Sequence, residues 1–460
     1  MRIKLLARLP FIILCLCGIA NAQDLWPSIS GTVTDPTGSP LPGAAIVVRN
    51  VENGAQRKLV SDDVGRYAAL SLPVGTYEVT GVKEGFQSAS KTAIALVVGQ
   101  KLEVGLQLAV GQVRESVTVV EQPNPVNIST EQTSGLVGEK EVKDLPLNGR
   151  SYDQLVMLNP AIVNYSSERS GGVGTSNSAV GNMFAVSGRR PQENLFLLNG
   201  IEYTGASLIN LTPGGTSGQL LGVDAVREFN VVTDTYGAEY GKRPGAQVSI
   251  VTAGGTNAFH GALYEFLRNS DLDARNFFDQ GAIPHFARNV FGGALGGPIK
   301  KDKLFVFGNY EGYRQHLDLS DVTLVPENAA RQGIVSGTNV GLAPGVAQLV
   351  TLWPVQNGPE LGGGIAEAFS HPLQTLREDF GTTRIDDNLS SKDLLFGVYT
   401  VDDSDATTPS ANPYSSIYER LREQVVSAQE QHVFSPSLLN TLRQAFVRFA
   451  GAGTRRSEAP

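Results

Sequence analysis

A chain of 460 residues holds material for about two to four domains and their cores. Its formal net charge of −8 argues against a nucleic-acid partner held by phosphate contacts. Only two cysteines occur, Cys15 and Cys17, and both lie in a leader-like start. There Arg2, Lys4 and Arg8 form a positive n-region, residues 9–20 an apolar h-region, and Ala20-Asn21-Ala22 a small-x-small cleavage site. A secretory signal peptide over residues 1–22, cut after Ala22, is therefore predicted, and every thiol leaves with it. The apolar run is too short for a transmembrane helix, and no later segment is long and apolar enough for one. An integral membrane role for the remainder requires a β-barrel.

Residues 28–110 read as an all-β module. Strand-like runs at 29–34, 45–49, 57–61, 66–70, 76–82, 88–97 and 101–108 are separated by turn clusters such as Asp35-Pro36-Thr37-Gly38 and Pro73-Val74-Gly75. Short strands at this spacing predict a small sandwich. Residues 111–125 follow as a polar, Pro-bearing linker that carries Glu115-Ser116-Val117-Thr118-Val119-Val120. Such an extended hexapeptide is either an edge that pairs with another protein's sheet or the last strand of the sandwich.

From 126 to 253 the pattern turns α/β and Gly-rich. Helices are predicted over 139–144 and 152–158, and strands over 184–187, 194–198, 226–233 and 246–251. Residues 165–181 are nearly all small and polar and predict a loop. After the strand at 246–253 the chain breaks at Gly254-Gly255-Thr256-Asn257, then enters a more aromatic strand at 259–267.

Gly31-Thr32-Val33-Thr34-Asp35, Asp63-Val64-Gly65-Arg66-Tyr67 and Leu72-Pro73-Val74-Gly75-Thr76-Tyr77 resemble the carboxypeptidase-regulatory-like domain, a prealbumin-type sandwich without catalytic residues. Leu145-Pro146-Leu147-Asn148-Gly149-Arg150, Phe196-Leu197-Leu198-Asn199-Gly200-Ile201 and Val251-Thr252-Ala253-Gly254-Gly255-Thr256-Asn257 resemble the plug domain and first strand of TonB-dependent outer-membrane receptors. The Oar-like branch, with a regulatory-like sandwich ahead of the plug, is the nearest in layout. Asn199 stands where an aspartate is commoner and Ala253-Gly254 where Lys-Ser is usual, but the turn chemistry is kept. The resemblance implies a plug over 126–253 and a plug–barrel hinge at Gly254 and Gly255. It also gives Glu115, Ser116, Val117, Thr118, Val119 and Val120 a second reading as the TonB box, the segment captured by strand addition, beside the plain-strand reading.

Beyond residue 256 strands of about ten residues, the length a tilted strand needs to cross a bilayer, are predicted at 256–268, 289–299, 304–314, 379–388, 393–402, 423–434 and 439–449. Short turns alternate with long connections at 269–288, 315–378 and 403–422, as in a barrel with small periplasmic turns and larger external loops. Phe305, Phe307, Tyr310 and Tyr313 are candidates for an interfacial girdle; an ordinary sandwich core predicts the same periodicity. Plugged transporters have about 22 strands, so residues 256–460 are expected to form only the N-terminal part of such a barrel. The predicted fold class is mainly β, with a prealbumin-like sandwich, an α/β plug and an incomplete antiparallel transmembrane barrel.

Catalytic chemistry finds little support. His260, His285, His316, His371 and His432 are scattered, with no His-Glu-x-x-His, nucleophile elbow or phosphate loop. Asp402-Asp403-Ser404-Asp405 lacks the glycine and terminal glutamate of a calcium loop and reads as a solvated acidic loop. No enzyme activity, cofactor or metal is predicted. The resemblance implies an outer-membrane transporter gated by its plug and energised by TonB. Its partners would be the TonB complex, the barrel-assembly machinery, outer-membrane lipid and an extracellular ligand such as a siderophore, glycan, peptide or protein. Arg189 and Arg190 are candidate ligand contacts at the plug apex, or else ordinary surface charges. A secreted sandwich protein acting in adhesion is the alternative.

Overall fold

The computed structural model describes residues 26–111, 116–120, 133–164, 183–204, 213–234, 237, 240–275, 283–409, 415–435 and 438–457. The predicted signal peptide with Ala22, Glu115 and the loop at 165–181 lie outside the described residues. Alternating apolar side chains build the first domain. Its strands are β1 (Ser28–Thr34), β2 (Ala45–Asn50), β3 (Gln56–Val60), β4 (Arg66–Ala69), β5 (Gly75–Val82), β6 (Ser88–Leu96), β7 (Lys101–Glu103), β8 (Leu106–Gln107) and β9 (Ser116–Val120). One layer sets β1 between β4 and β7, with β8 also on β1, and the other runs β3-β2-β5-β6-β9. Ile29, Val33, Ile46, Val48, Tyr77, Val79, Ile94 and Leu106 pack between the layers. The expected single strand at 101–108 is split at Val104. The Val104 N–H donates to Ser30 O at 2.7 Å, and its carbonyl accepts from the Tyr67 hydroxyl at 2.5 Å. A side chain at Gly31 would collide with that carbonyl, so glycine is what lets the strands cross so closely.

The middle domain contains β10 (Thr133–Val137), α1 (Glu139–Asp144), α2 (Asp153–Val156), β11 (Ile162–Asn164), β12 (Phe184–Val186), β13 (Leu195–Leu198), β14 (Ile201–Glu202), β15 (Val226–Asp234) and β16 (Gln247–Thr252). Its main sheet runs β10-β15-β16-β13-β14, and β11 and β12 form a separate two-stranded sheet among the described residues. Every residue of β13 and β16 is buried, the pattern of strands covered on both faces. Phe184, Phe196, Phe229, Val231, Val248 and Ile250 form the core, and Val425 from a much later strand joins it. Asn199 and Gly200 both take positive φ, 49° and 79°, and turn β13 into β14 as an Asn-Gly hairpin does.

The third unit opens with β17 (His260–Asn269), β18 (Phe286–Lys300) and β19 (Leu304–Asp318). A small lobe follows, with β20 (Asp321–Pro326), β21 (Ile334–Val335), β22 (Thr338–Asn339), α3 (Val346–Val350), β23 (Glu360–Gly362) and β24 (Ile365–Ser370) around Val325, Ala366 and Ala368. Then come β25 (Leu373–Asn388), β26 (Asp393–Pro409), β27 (Ser415–Ser435) and β28 (Leu438–Ser457), and the sheet runs β17-β18-β19-β25-β26-β27-β28. Burial in this sheet is inverted relative to a soluble sandwich. Leu263 is 92% exposed, Leu295 65% and Phe446 63%, while Glu311 and Glu378 are 0% exposed. An apolar outer face with a polar inner face is the barrel pattern, and it rules out an ordinary sandwich core.

Several sequence expectations are corrected here. Apart from β17, the strands of this sheet are longer than about ten residues, reaching 21 in β27, because main-chain pairing continues where the apolar signal stops. Asp403 and Arg422, expected to bound a long connection, are direct cross-strand partners. The Asp402–Asp405 segment is strand rather than loop: Asp402 is buried on the inner face, and Asp403 and Asp405 pair outside with Arg377 at 2.7 Å each. Phe305, Phe307 and Tyr313 are buried on the inner face, so they are not girdle residues; of the four aromatics only Tyr310 points outward.

Candidate functional site

The inner face of the sheet meets the middle domain along the segment 213–222. Main-chain groups do most of the binding. Gly222 N–H donates to Glu311 Oε2 at 3.1 Å, Ser217 N–H to Glu378 Oε2 at 2.9 Å and Thr216 N–H to Ser404 Oγ at 2.8 Å. Two of the three acceptors are buried glutamate side chains and the third is a serine hydroxyl. From the other side Leu220 N–H donates to Ser151 Oγ at 2.8 Å, just ahead of α2. Glycines make the approach possible: a Cβ on Gly215 would meet Ser404 and Glu378, and one on Gly222 would enter the Phe380 ring. Pro213, Thr216, Ser217, Leu220 and Leu221 are buried there.

Arg150 closes one end of the contact. Its guanidinium pairs with Asp224 at 2.6 Å, approaches Glu311 at 3.8 Å and lies 3.9 Å from the centroid of the Tyr264 ring. Its backbone takes φ 56°, a costly conformation for a residue with a side chain, held here by its surroundings. Arg150 ends the Leu145–Arg150 motif that carries the resemblance, yet nothing in composition or spacing singled it out. Glu311 and Glu378 were equally hidden, since an acid within a strand pattern reads as solvent-facing. Asp402 and Glu423 are buried on the same inner wall.

At the other end, the wall grips the end of β16. Arg384 donates to Thr252 O at 3.0 Å and pairs with Asp386 at 2.7 Å. Gly254 and Gly255 come next, and neither takes a positive φ. A Cβ on Gly255 would lie 2.8 Å from Gly297 O, Val306 O and Phe305 Cβ. Glycine here answers a lack of room, and the junction is tightly packed.

The sandwich docks beside this junction. Arg57 donates to Gln431 Oε1 at 2.9 Å, Gln431 donates to Ser71 O at 2.7 Å, and Asn388 donates to Asn53 O at 3.1 Å. Glu52 pairs with Arg227 of the middle domain at 2.8 Å, and Val98 N–H donates to Glu228 Oε1 at 2.5 Å. Burial pushes the Glu228 carboxyl up to about 7, against the lowering effect of the Val98 N–H and Arg227. A small cleft of about 70 Å³ lies where the three units meet, lined by Trp26, Glu52, Arg227, Arg384 and Phe396 among others.

The remaining expected residues are dispersed. Arg189 reaches Thr233 O and Asp234 at 3.3 and 3.4 Å, whereas Arg190 is exposed and its N–H donates to Glu193. Ser116, Val117, Thr118, Val119 and Val120 form β9, which pairs in parallel with β6. Among the described residues Asp393, Glu430 and His432 bring ligand-type atoms within 4.8 Å of one another; Asp393 and His432 face each other across β26 and β27 and are in direct side-chain contact.

Residues 28–109 match the carboxypeptidase regulatory-like domain and residues 251–459 the outer membrane beta barrel domain. The TonB-dependent transporter Oar of Myxococcus xanthus is 26% identical over 301 residues, which is 62% of this chain and 26% of that protein. The chain carries a carboxypeptidase regulatory-like domain followed by an outer membrane beta barrel domain, and is similar to Oar. Its matched part thus spans about a quarter of the curated relative. That relative is named as a TonB-dependent transporter, the kind of protein the sequence motifs resemble. Among solved structures, the outer membrane transporter YddB of Escherichia coli overlaps 68% of this chain and 39% of its own, at 13% identity and TM-score 0.44. The siderophore receptor PirA of Acinetobacter baumannii overlaps 69% and 45%, at 14% identity and TM-score 0.39. At those scores neither carries an argument about this chain.

Proposed function

We propose that this chain is the gate-bearing part of a TonB-dependent outer-membrane transporter. Residues 126–253 act as the plug, Gly254 and Gly255 as the plug–barrel junction, and the sandwich stands in the periplasm. The seating of segment 213–222 on buried Glu311, Glu378 and Ser404 carries the reading. A lumen-facing glutamate that accepts an N–H from another domain is what a removable stopper needs, because that bond can be exchanged for water when the stopper shifts. TonB would capture Glu115 to Val120 and draw on the plug. The barrel-assembly machinery would insert the barrel, and ligand would enter past the lobe at 319–372, with Arg189 and Arg190 as candidate contacts. A receptor lacking residues 115–120 should still fractionate with the outer membrane but lose binding to the periplasmic domain of TonB. Unchanged binding would refute the box, and recovery from the soluble periplasm would refute the transporter.

A further inference from the structure

Residues 116–120 form the outermost strand of the five-stranded layer, β9, paired in parallel with β6 from Ser88↔Ser116 to Thr92↔Val120. Capture by strand addition works through main-chain N–H and C=O groups, and on one side of β9 those groups already face β6. On the far side of the linker the chain resumes as β10, the outermost strand of the middle sheet, beside β15. The linker therefore joins two sheet-edge strands, each of which can leave its sheet without opening a central ladder. β6 is held firmly: it pairs with β5 along its other side, and two residues beyond its end Val98 is bonded to Glu228 of β15.

We propose that the sandwich competes with TonB for the box. β6 stores residues 116–120 as β9, and TonB obtains them only by exchanging β9 from β6 into its own sheet. The inference rests on the reading of these residues as the box. It assigns the regulatory-like domain a task in this chain, since the fraction of receptors with β9 released sets the apparent affinity for TonB. Any event that loosens β9 then primes the receptor for capture.

The register supplies a direct test in the receptor, since the two cysteines of this sequence, Cys15 and Cys17, lie in the predicted leader. Ala89 and Val117 are Cα partners, as are Ser90 and Thr118, and neighbouring strands are about 4.8 Å apart, within reach of a disulfide. Ala89→Cys/Val117→Cys and Ser90→Cys/Thr118→Cys receptors should oxidise with copper–phenanthroline. The oxidised forms should bind the purified periplasmic domain of TonB at least tenfold more weakly than the same samples after reduction. The four single-cysteine receptors should bind like the parent. TonB binding to the parent should also speed amide exchange across Ser88–Thr92. Equal binding by oxidised and reduced forms would overturn the competition, and failure of both pairs to cross-link would overturn the pairing. Loss of TonB binding on deleting 115–120, alongside equal binding by the locked form, would keep the box and reject its storage; unchanged binding after that deletion would reject the box itself.

Discussion

Two residues show how local chemistry sets the seating of the middle domain. Gly222 has φ 88° and would drive a Cβ into the Phe380 ring. Gly222→Ala adds left-handed strain of about 1–2 kcal/mol to overpacking of about 1–3 kcal/mol. A clear fall in Tm is expected, with the segment 213–222 the first to lose exchange protection. Glu228 adds a pH dependence. Its folded carboxyl is raised to about 7 from an ordinary value of 4.5, so the folded state keeps a proton that the unfolded chain releases. Stability is then fully present below the unfolded value and is lost as pH rises toward the folded one. The loss should reach at most about 3 kcal/mol between pH 4.5 and 7. Glu228→Gln keeps an acceptor for Val98 N–H and should flatten that slope, as unfolding midpoints at pH 5 and pH 8 will show.

At the scale of elements, strand positions were legible and strand ends were not. The starts of β19 and β26 follow Lys-rich or Ser-Lys turns and were placed to the residue, because turn chemistry is local. The outer halves of β26 and β27 escaped notice: Asp403, Asp405, Arg420 and Arg422 carry no apolar alternation, yet their backbones pair as well as any. A period of two also cannot say which face is which, so Phe305 and Phe307 were equally compatible with lipid, core or lumen. Contacts between domains left no trace at all, since Arg57 and Gln431 are 374 residues apart in sequence and each looks like surface. Arg57 is buried, so Arg57→Met should leave the sandwich folded while undocking it. The lost bond to Gln431 is worth about 1–3 kcal/mol, and protection at β2, β3 and the Asn388 turn should fall together.

For the whole molecule, the same two carboxylates decide whether the middle domain stays in place. Glu311 accepts from Gly222 N–H and from the Tyr264 hydroxyl at 2.9 Å, and Glu378 accepts from Ser217 N–H. Truncating either leaves a buried donor unpaired, at about 1–3 kcal/mol each. Arg150 would also lose a partner on the Glu311 side but retain Asp224. The cost falls on the interface rather than on the barrel, whose strands hold each other through their own ladders. A Glu311→Ala/Glu378→Ala receptor should therefore assemble in the outer membrane yet hold its middle domain loosely. Reconstituted in planar bilayers, it should pass ions in bursts where the parent is closed. Cells carrying it should become several-fold more sensitive to a bulky antibiotic such as vancomycin. Silent bilayers together with unchanged protection of residues 213–222 would show that the seating seen here does not govern the opening.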